Sequence, residues 1–269
     1  MKLKSLGLRT DLITLSETSE VRDKGDYMVI RTDSRPHFFW GNFLVMGTLP
    51  GPGDFIKWTQ LFQEEIGPLS ERGFMAFTWD DTSGETGENS EFLENGFTIE
   101  RSRMLTARKV ARGRKHNSDV TVRVMESETD WESYLDIHFE PGWEYGSDES
   151  QRGFLKSGMD EFRRLVDAGK GCRFGAELNG ALVGELGVIW DGDVARFNNV
   201  GTHREHRRLG VCSTLVYEVA QRLLLDKGFK TLVMEADEDY HAGAIYESLG
   251  FKFTEMKTCL QYYDKSFFT

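Results

Sequence analysis

The sequence lacks a hydrophobic run long enough to span a bilayer. A membrane-spanning helix needs about 20 apolar residues, and no run in the 269 residues approaches that length. The start of the chain, MKLKSLGLRTDLITL, has no long apolar segment and no obvious cleavage site, so we predict no signal peptide. We therefore expect no membrane partner.

Cysteine is scarce, and its spacing supports neither a metal site nor a disulfide framework. The three cysteines, Cys172, Cys212 and Cys259, are an odd number without metal-like spacing. This pattern fits a reducing compartment better than a secreted, disulfide-linked chain. We expect a cytoplasmic protein without a metal cofactor.

A surplus of basic charge is also missing. The chain has 33 Lys and Arg against 44 Asp and Glu, a formal net charge of −11. Nucleic-acid-binding proteins usually carry a basic surplus, so we expect no nucleic-acid partner. A cationic or amine substrate is electrostatically compatible with this charge, although acidic surfaces mostly serve solubility.

Strand-like and helical patterns alternate along the whole chain, whose length allows one large or two small domains. In the first part, helical spacing predicts a helix over 55–66, and strand-like runs occupy 27–31, 38–46, 74–79 and 97–107. In the second part we predict strands at 120–124, 173–178, 181–190, 194–200, 231–234 and 251–263, and helices over 130–138, 151–168, 213–224 and 240–249. The basic segment 108–119 between the two parts is interpreted as an interdomain linker, a solvated loop rather than a binding site.

The two parts contain a faint internal repeat. Gly47-Thr48 and Gly201-Thr202 are 154 positions apart, and so are Gly96-Phe97 and Gly250-Phe251. A helix and a short apolar strand lie between these dipeptides in both copies, which favours divergent duplication over coincidence.

The copies differ where chemistry would occur. At the same offset, Arg207, Arg208 and Gly210 correspond to Gly53, Asp54 and Ile56, and Tyr246 corresponds to Phe92. A carboxylate would repel a phosphate, and phenylalanine has no hydroxyl. We therefore expect the first copy to be structural.

The stretch from Val200 to Leu215 organises the second copy. An alternating apolar strand leads into a short basic loop, and an amphipathic helix follows it. Such a loop presents backbone N–H groups to an anion at a helix N-terminus. Gly210 lets the backbone approach a ligand closely, and Arg207 and Arg208 carry charges suited to phosphate. The stretch predicts a diphosphate-binding loop.

Two motifs resemble those of the GNAT superfamily of acyl-CoA-dependent N-acyltransferases. The family's Gln/Arg-x-x-Gly-x-Gly/Ala loop is matched by Arg207-Arg208-Leu209-Gly210-Val211-Cys212, with Cys212 departing from Gly/Ala. The family's second motif, Asn-x-x-Ala-x-x-x-Tyr-x-x-x-Gly-Phe, is matched at Asp239, Ala242, Tyr246, Gly250 and Phe251, with Asp replacing Asn. The two motifs occur at the family's spacing and in its order.

The resemblance implies a fold and a domain organisation. The fold class is α/β, with a mixed, mostly antiparallel sheet and helices on both faces. Its two central parallel strands, Val194–Thr202 and Thr231–Glu235, splay apart to admit acyl-CoA. We expect tandem GNAT-like domains, a degenerate one over 1–115 and a catalytic acetyltransferase domain over 119–269.

The resemblance also implies residue roles in the transfer of an acetyl group from acetyl-CoA to an amine, by direct attack in a ternary complex. Val200 and Thr202 would pair with the pantetheine arm, as an added strand pairs with a sheet edge. The N–H of Val200 or Gly201 would polarise the thioester carbonyl. Tyr246 would act as general acid toward the departing thiolate, although it could also be a core aromatic beside Phe251. The CoA diphosphate would be bound by the basic loop: Arg207, Arg208, Leu209, Gly210, Val211, Cys212 and Ser213.

The general base stays open. The plausible candidates are Glu235, Asp237 and Glu185. Each of them individually is more typical of a surface or turn carboxylate, and we assign none. His241 is interpreted as a helix-face histidine, and Cys212 as a small loop residue rather than a nucleophile.

The acceptor also stays open, as a small-molecule or peptide amine. The segment 139–150 would recognise it by cation–π and ion-pair contacts of Trp143, Glu144, Tyr145, Asp148 and Glu149, or would equally be a solvated loop. A homodimer is compatible with this interpretation. The alternatives are a catalytically inactive acyl-CoA-binding or scaffold protein and, more weakly, an ATPase, for which no Gly-x-x-x-x-Gly-Lys-Ser/Thr loop exists.

Overall fold

The computed structural model of the protein describes residues 1–142, 146–238 and 242–267. The chain divides into two compact units. The first contains Met1–Arg103 and Glu255–Thr269, and the second contains Met104–Thr254.

The described residues form eight α-helices and eleven β-strands. The helices are α1 Leu6–Leu15, α2 Asp54–Glu65, α3 Leu69–Arg72, α4 Ser90–Glu94, α5 Glu128–His138, α6 Asp148–Asp167, α7 Val211–Leu225 and α8 Ala242–Ser248. The strands are β1 Glu20–Asp23, β2 Tyr27–Arg31, β3 Phe43–Met46, β4 Phe74–Trp79, β5 Thr98–Ala107, β6 Thr121–Val124, β7 Gly171–Leu178, β8 Ala181–Asp191, β9 Val194–Thr202, β10 Thr231–Asp237 and β11 Lys252–Tyr263. Short 3-10 helices occupy Phe39–Gly41, Arg204–His206 and Lys265–Phe267.

The first unit has the strand order β1-β2-β3-β4-β11-β5. The pairs β1–β2, β2–β3 and β4–β11 are antiparallel, and the pair β3–β4 is parallel. The buried face of α2 packs into an aromatic core, where the rings of Trp58, Phe62, Phe77 and Phe92 meet at centroid distances of 5.6–6.0 Å. Aromatic burial of this size is a large stabilising term for a small unit.

Helix α1 was not predicted, and it explains why the end of the chain belongs to the first unit. The backbone N–H groups of Leu6 and Gly7, at the start of α1, donate to the Glu255 carboxylate at 2.9 and 3.3 Å. Lys257 forms an ion pair with Asp11 at 2.9 Å. Because β5 and β11 each run from one unit into the other, the division falls at 103/104 and 254/255 rather than at the predicted 115–119.

The second unit has the strand order β5-β10-β9-β8-β7-β6. Residues of β8 show that helices cover both faces of its sheet. A Cβ at Gly184 would lie 2.8 Å from Val211 of α7, and a Cβ at Gly187 would lie 2.6 Å from Phe162 of α6. Both units are therefore mixed α/β layers, which confirms the predicted fold class.

The parallel strands β9 and β10 part along their length, as predicted. They pair only from Val194 to Arg196 and from Thr231 to Val233, although both strands continue. A β-bulge opposite β8 contains Asn199, whose φ of 46° lies in the left-handed region. A bulge bends the strand that carries it, so it redirects the far half of β9.

The tandem organisation is confirmed by element order. The series β3-α2-β4-α4-β5 in the first unit repeats as β9-α7-β10-α8-β11 in the second. Gly96 and Gly250 both have positive φ, 84° and 101°.

The residues of the two copies that correspond to each other before α2 and α7 differ from those that we predicted. Helices α2 and α7 both follow a left-handed glycine, Gly53 with φ 79° and Gly210 with φ 81°. Gly53 therefore stands where Gly210 stands, and Pro50 and Gly51 stand in place of the two arginines.

Two further segments differ from their predicted structure. The run 38–46 contains the 3-10 helix Phe39–Gly41 before β3 rather than a continuous strand. The segment 108–119 is anchored to the second unit, because Ala111 N–H donates to Leu249 O at 2.9 Å and Asn117 N–H donates to Thr214 Oγ1 at 2.8 Å.

Asp130 fixes the start of α5. It forms a capping box with Ser127 and accepts hydrogen bonds from Arg123 Nη2 at 2.6 Å and Glu126 N–H at 2.9 Å. Arg123 is the main reason that the pKa of this carboxyl lies far below its ordinary value. The charged form is therefore favoured in the folded state.

Asp130→Asn should lower the free energy of unfolding by roughly 1–3 kcal/mol at neutral pH, since hydrogen bonds to a charged group are lost. A depressed folded-state pKa stabilises the protein above the unfolded value of about 3.9, and this contribution is lost as the pH falls through the folded pKa. The gap between wild type and variant should therefore narrow below about pH 4. Chemical denaturation of both proteins across pH measures this difference in the free energy of unfolding.

The control is Asp136→Asn on the same helix, at an exposed carboxylate 3.7 Å from Arg152, and it should change the free energy of unfolding little. A gap that stays constant to pH 3 would contradict the assignment.

Candidate functional site

The loop between β9 and α7 has an unusual backbone. Arg208 and Gly210 both have positive φ, 67° and 81°. Helix α7 begins at Val211 without a side-chain cap, and Thr214 N–H makes its first bond back to Gly210 O at 3.0 Å. The N–H groups of the first turn lie at an uncapped helix terminus, which attracts anions. Arg208–Ser213 contain this uncapped terminus, and their role in anion binding stays a prediction.

The segment 113–117 braces this loop from outside. Asn117 Nδ2 donates to Leu209 O at 2.9 Å. A Cβ added to Gly210 would overlap the Lys115 carbonyl oxygen, well inside van der Waals contact. The sequence interpretation of this segment as a solvated loop holds for the exposed side chains of Arg114 and Lys115, and not for its backbone.

The two arginines of the loop differ in their contacts. Arg207 Nε donates to Thr202 O at 3.2 Å, and its guanidinium forms an ion pair with Glu140, with both side chains about half exposed. The Arg208 side chain is exposed. Arg207 therefore ties the loop to the end of β9, and Arg208 extends from its surface.

Val200, Gly201 and Thr202 form the part of β9 beyond its pairing with β10. Gly201 pairs with Glu185 of β8, so the opposite edge of β9 faces the opening between the parallel strands. Among the described residues, Thr202 Oγ1 is buried without a hydrogen-bond partner. A buried polar atom of this kind is normally satisfied by protein, water or ligand.

Tyr246 lies on α8 at the edge of the same core. Its side chain is 5% exposed, and its ring centroid lies 6.4 Å from that of Phe251. Phe251 in turn packs at 5.9 Å against Phe197 of β9. The motif position Asp239 and the predicted helix-face residue His241 lie outside the described residues.

Of the predicted acceptor residues, Trp143, Glu144 and Tyr145 lie outside the described residues. Asp148 and Glu149 are exposed in the first turn of α6. Acidic side chains there stabilise the helix dipole, so their position has a structural explanation.

A buried charged cluster next to Gly201 was not recognised from the sequence. Glu185 is fully buried, with Oε2 2.9 Å from Nη1 of Arg173, which is 1% exposed. Its Oε1 is hydrogen-bonded to Nε2 of His138, at the end of α5. Glu185 was one of three candidate bases, but no pattern linked it to a histidine 47 residues away. A second candidate, Glu235, forms an ion pair with Arg196.

Burial raises the pKa of the Cys212 thiol to about 11, which favours the thiol over the thiolate. Only the thiolate is strongly nucleophilic, so this direction agrees with the prediction that Cys212 is a small loop residue. Within residues 1–142, 146–238 and 242–267, no group of three His, Cys, Asp or Glu side chains could hold a metal ion. No helix in this part of the chain is long and apolar enough to cross a membrane.

Gly210→Ala should destabilise the protein more than Gly53→Ala, by at least about 1 kcal/mol. Both changes put alanine in the left-handed region, which costs roughly 1–2 kcal/mol. Only at position 210 does the new Cβ overlap a backbone carbonyl, since no atom lies within 4 Å of a Cβ at position 53. Chemical denaturation of both variants measures the difference. Equal losses would show that segment 113–117 does not brace the loop.

The model of the acetyltransferase (GNAT) family matches residues 131–251. No curated protein sequence is significantly similar to the chain. A functionally unknown conserved protein from Staphylococcus epidermidis superposes with a TM-score of 0.73 at 14% identity, covering 91% of this chain and 94% of that one.

Two further solved structures share the fold over nearly the whole chain. A GCN5-related N-acetyltransferase from Kribbella flavida has a TM-score of 0.63 at 16% identity, with 96% of both chains covered. A tandem GNAT protein from the clavulanic acid biosynthesis pathway has a TM-score of 0.53 at 14% identity, covering 92% of this chain and 84% of that one. The chain thus has a tandem GNAT fold, and its residues 131–251 match the model of the acetyltransferase (GNAT) family.

Proposed function

We propose that the second unit is an N-acyltransferase that moves an acetyl group from acetyl-CoA to an amine. The observation that carries this proposal is the opening between β9 and β10, which ends at the uncapped N-terminus of α7. An opening beside a strand edge accommodates an extended arm, and a helix N-terminus accommodates an anion. Acyl-CoA has both parts, a pantetheine arm and a diphosphate.

The loop supplies complementary charge for the diphosphate. The N–H groups from Arg208 to Ser213 and the dipole of α7 contribute partial positive charge. Arg208 adds an exposed guanidinium, and Arg207 would exchange its ion pair with Glu140 for a phosphate. Because the Arg207–Glu140 pair is half exposed, it contributes little stability and is easily replaced.

The edge of β9 would position the thioester. Val200 and Thr202 would hydrogen-bond to pantetheine amides, and the N–H of Val200 or Gly201 would stabilise the oxyanion. The amine nitrogen attacks the carbonyl carbon, the C–S bond breaks, and the sulfur leaves with the bonding electrons. No acyl-enzyme is needed, in agreement with the raised pKa of the Cys212 thiol.

Tyr246 is the proposed general acid for the departing thiolate. Its place on α8 beside the parallel strands supports this role, and its burial limits competing contact with water. A phenol donates one proton through a short hydrogen bond. The proton lost by the amine needs a separate acceptor.

We propose that the first unit has lost this site and is structural. Its parallel pair stays joined to the last residue of each strand, with Met46 opposite Trp79. The loop before α2 has prolines at 50 and 52, which lack N–H groups, and Gly51 N–H already donates to the Asp54 carboxylate at 2.8 Å. One acetyl-CoA per chain follows from these differences.

Tyr246→Phe should lower kcat by roughly 10- to 10⁴-fold in acetyl transfer to an amine, because a general acid is removed. Acetyl-CoA affinity should hardly change, since the ring still packs against Phe251. The measurement is free-thiol release with a panel of aliphatic, aromatic and peptide amines, alongside calorimetric titration of acetyl-CoA.

Tyr217→Phe, at a half-buried position of α7 where the hydroxyl accepts from Gln221 at 3.2 Å, is the matched control and should leave kcat unchanged. Wild-type turnover by Tyr246→Phe while chemistry limits the rate would remove Tyr246 from the mechanism. Tight acetyl-CoA binding without thiol release on any amine would instead favour an inactive acyl-CoA-binding protein.

A further inference from the structure

We infer that His138 is the general base of the second unit and that Glu185 and Arg173 are its positioning residues. The inference rests on the proposed function, because it names the group that takes the proton from the attacking amine. It follows from the burial of Glu185 and Arg173, from the hydrogen bond between Glu185 and His138, and from the close approach of the imidazole to Gly201.

The imidazole lies against the residue that would hold the thioester. A Cβ built on Gly201 would be 2.7 Å from both Cε1 and Nε2 of His138. Glycine therefore leaves the space that the ring occupies. If the carbonyl is polarised at Val200 or Gly201, the attacking nitrogen approaches within reach of this ring.

Glu185 cannot itself reach an amine in solution. Its side chain has no exposed surface, and both carboxylate oxygens are engaged, Oε1 by His138 and Oε2 by Arg173. It acts through the imidazole. With Nε2–H donating to Oε1, the Nδ1 lone pair is the one left to accept a proton.

Arg173 neutralises the charge of the buried Glu185 carboxylate. Its guanidinium is stacked on the rings of Tyr134 and Phe162, with Cζ 4.6 and 4.3 Å from their centroids. The Arg173–Glu185 pair has no net charge, so the buried carboxylate keeps its counter-charge independently of the imidazole.

The groups around His138 are accounted for on each neighbouring element. Glu185 comes from β8, Arg173 from β7, and Tyr134 from the preceding turn of α5, with its ring centroid 4.6 Å from the imidazole. The charged residues of α6 that approach α5 pair elsewhere, Arg152 with Asp136 and Arg163 with Glu128. The His138 side chain is 18% exposed, which leaves a route for the proton to solvent.

The proton balance of the step is complete. The ammonium of an aliphatic substrate first passes one proton to Nδ1 of His138, which releases it to solvent. The neutral nitrogen then forms a bond to the carbonyl carbon, the C–S bond breaks, and the thiolate takes a proton from Tyr246. The second proton of the nitrogen returns through solvent to the Tyr246 oxygen, so one proton is released per turnover.

His138→Gln tests the inference with a mild change. The glutamine amide can still donate to Glu185, and Arg173 still pairs with that carboxylate, so the buried charges keep their partners. We expect kcat/KM for an aliphatic amine to fall roughly 10²- to 10⁴-fold. Acetyl-CoA affinity by calorimetry should stay within about twofold, and the acid limb of the wild-type pH profile should disappear. For a weakly basic aromatic amine, which is already unprotonated at neutral pH, kcat/KM should fall much less.

Two further variants complete the experiment. His37→Gln, an exposed histidine in the first unit, is the control and should match the wild type. Glu185→Gln keeps the imidazole, so the acid limb of the kcat/KM pH profile should shift rather than vanish. If this limb stays where it is in the wild type, Glu185 has no positioning role.

The inference is overturned if His138→Gln keeps the wild-type kcat/KM and pH profile. It is also overturned if the loss is equal for aliphatic and aromatic amines, because that would indicate a packing effect. Absence of thiol release by the wild type on every amine would overturn the proposed function itself. Thiol release by the wild type that His138→Gln leaves unchanged would overturn only the assignment of the base.

Discussion

The second unit depends on the separation of two parallel strands that begin as neighbours. Three residue pairs join β9 to β10, and then the bulge at Asn199 turns β9 away. The backbone of β9 beyond this point keeps β8 on one side and has the opening on the other. Exposed strand edges are normally protected against aggregation. The unpaired edge of β9 is therefore the place where we propose that a ligand completes the ladder.

The same separation brings the other parts of the site together. The redirected strand ends at Thr202, where Arg207 is attached, and the loop then reaches the start of α7. On the opposite face, Gly201 makes room for His138, which joins α5 to the buried Glu185. One irregular strand thus connects an anion-binding terminus with a candidate proton acceptor. The first unit illustrates the alternative: its strands stay paired, its loop N–H is occupied by Asp54, and Phe92 replaces the tyrosine.

Local patterns predicted much of this arrangement. The strands predicted at 173–178 and 181–190, the helix after Gly210 and the duplicated order of elements depend on residue spacing, which a sequence displays directly. The basic loop was recognisable because a strand, a glycine and a helix start follow one another within a few residues. The correspondence between the copies was off by three positions, since it relied on a constant offset where the loop before α2 is shorter.

The rest depends on contacts between distant residues. Helix α1 is fixed by Glu255, nearly the whole chain away, and the segment 113–117 looks solvated by composition although its backbone braces α7. The cluster of His138, Glu185 and Arg173 brings together three elements, and each residue alone is unremarkable in the sequence. The sequence does not indicate that a charged side chain is buried, because its burial depends on a partner that only the fold brings close enough to neutralise it.

Hydrogen–deuterium exchange with and without acetyl-CoA tests the central claim most directly, that one acyl-CoA site lies between the unpaired edge of β9 and the start of α7. The account predicts slowed exchange at the amides of Val200–Thr202 and Leu209–Ser213, with no change at the start of α2. Protection at Gly53–Phe55 of the first unit, or none at either helix start when acetyl-CoA is saturating, would contradict it.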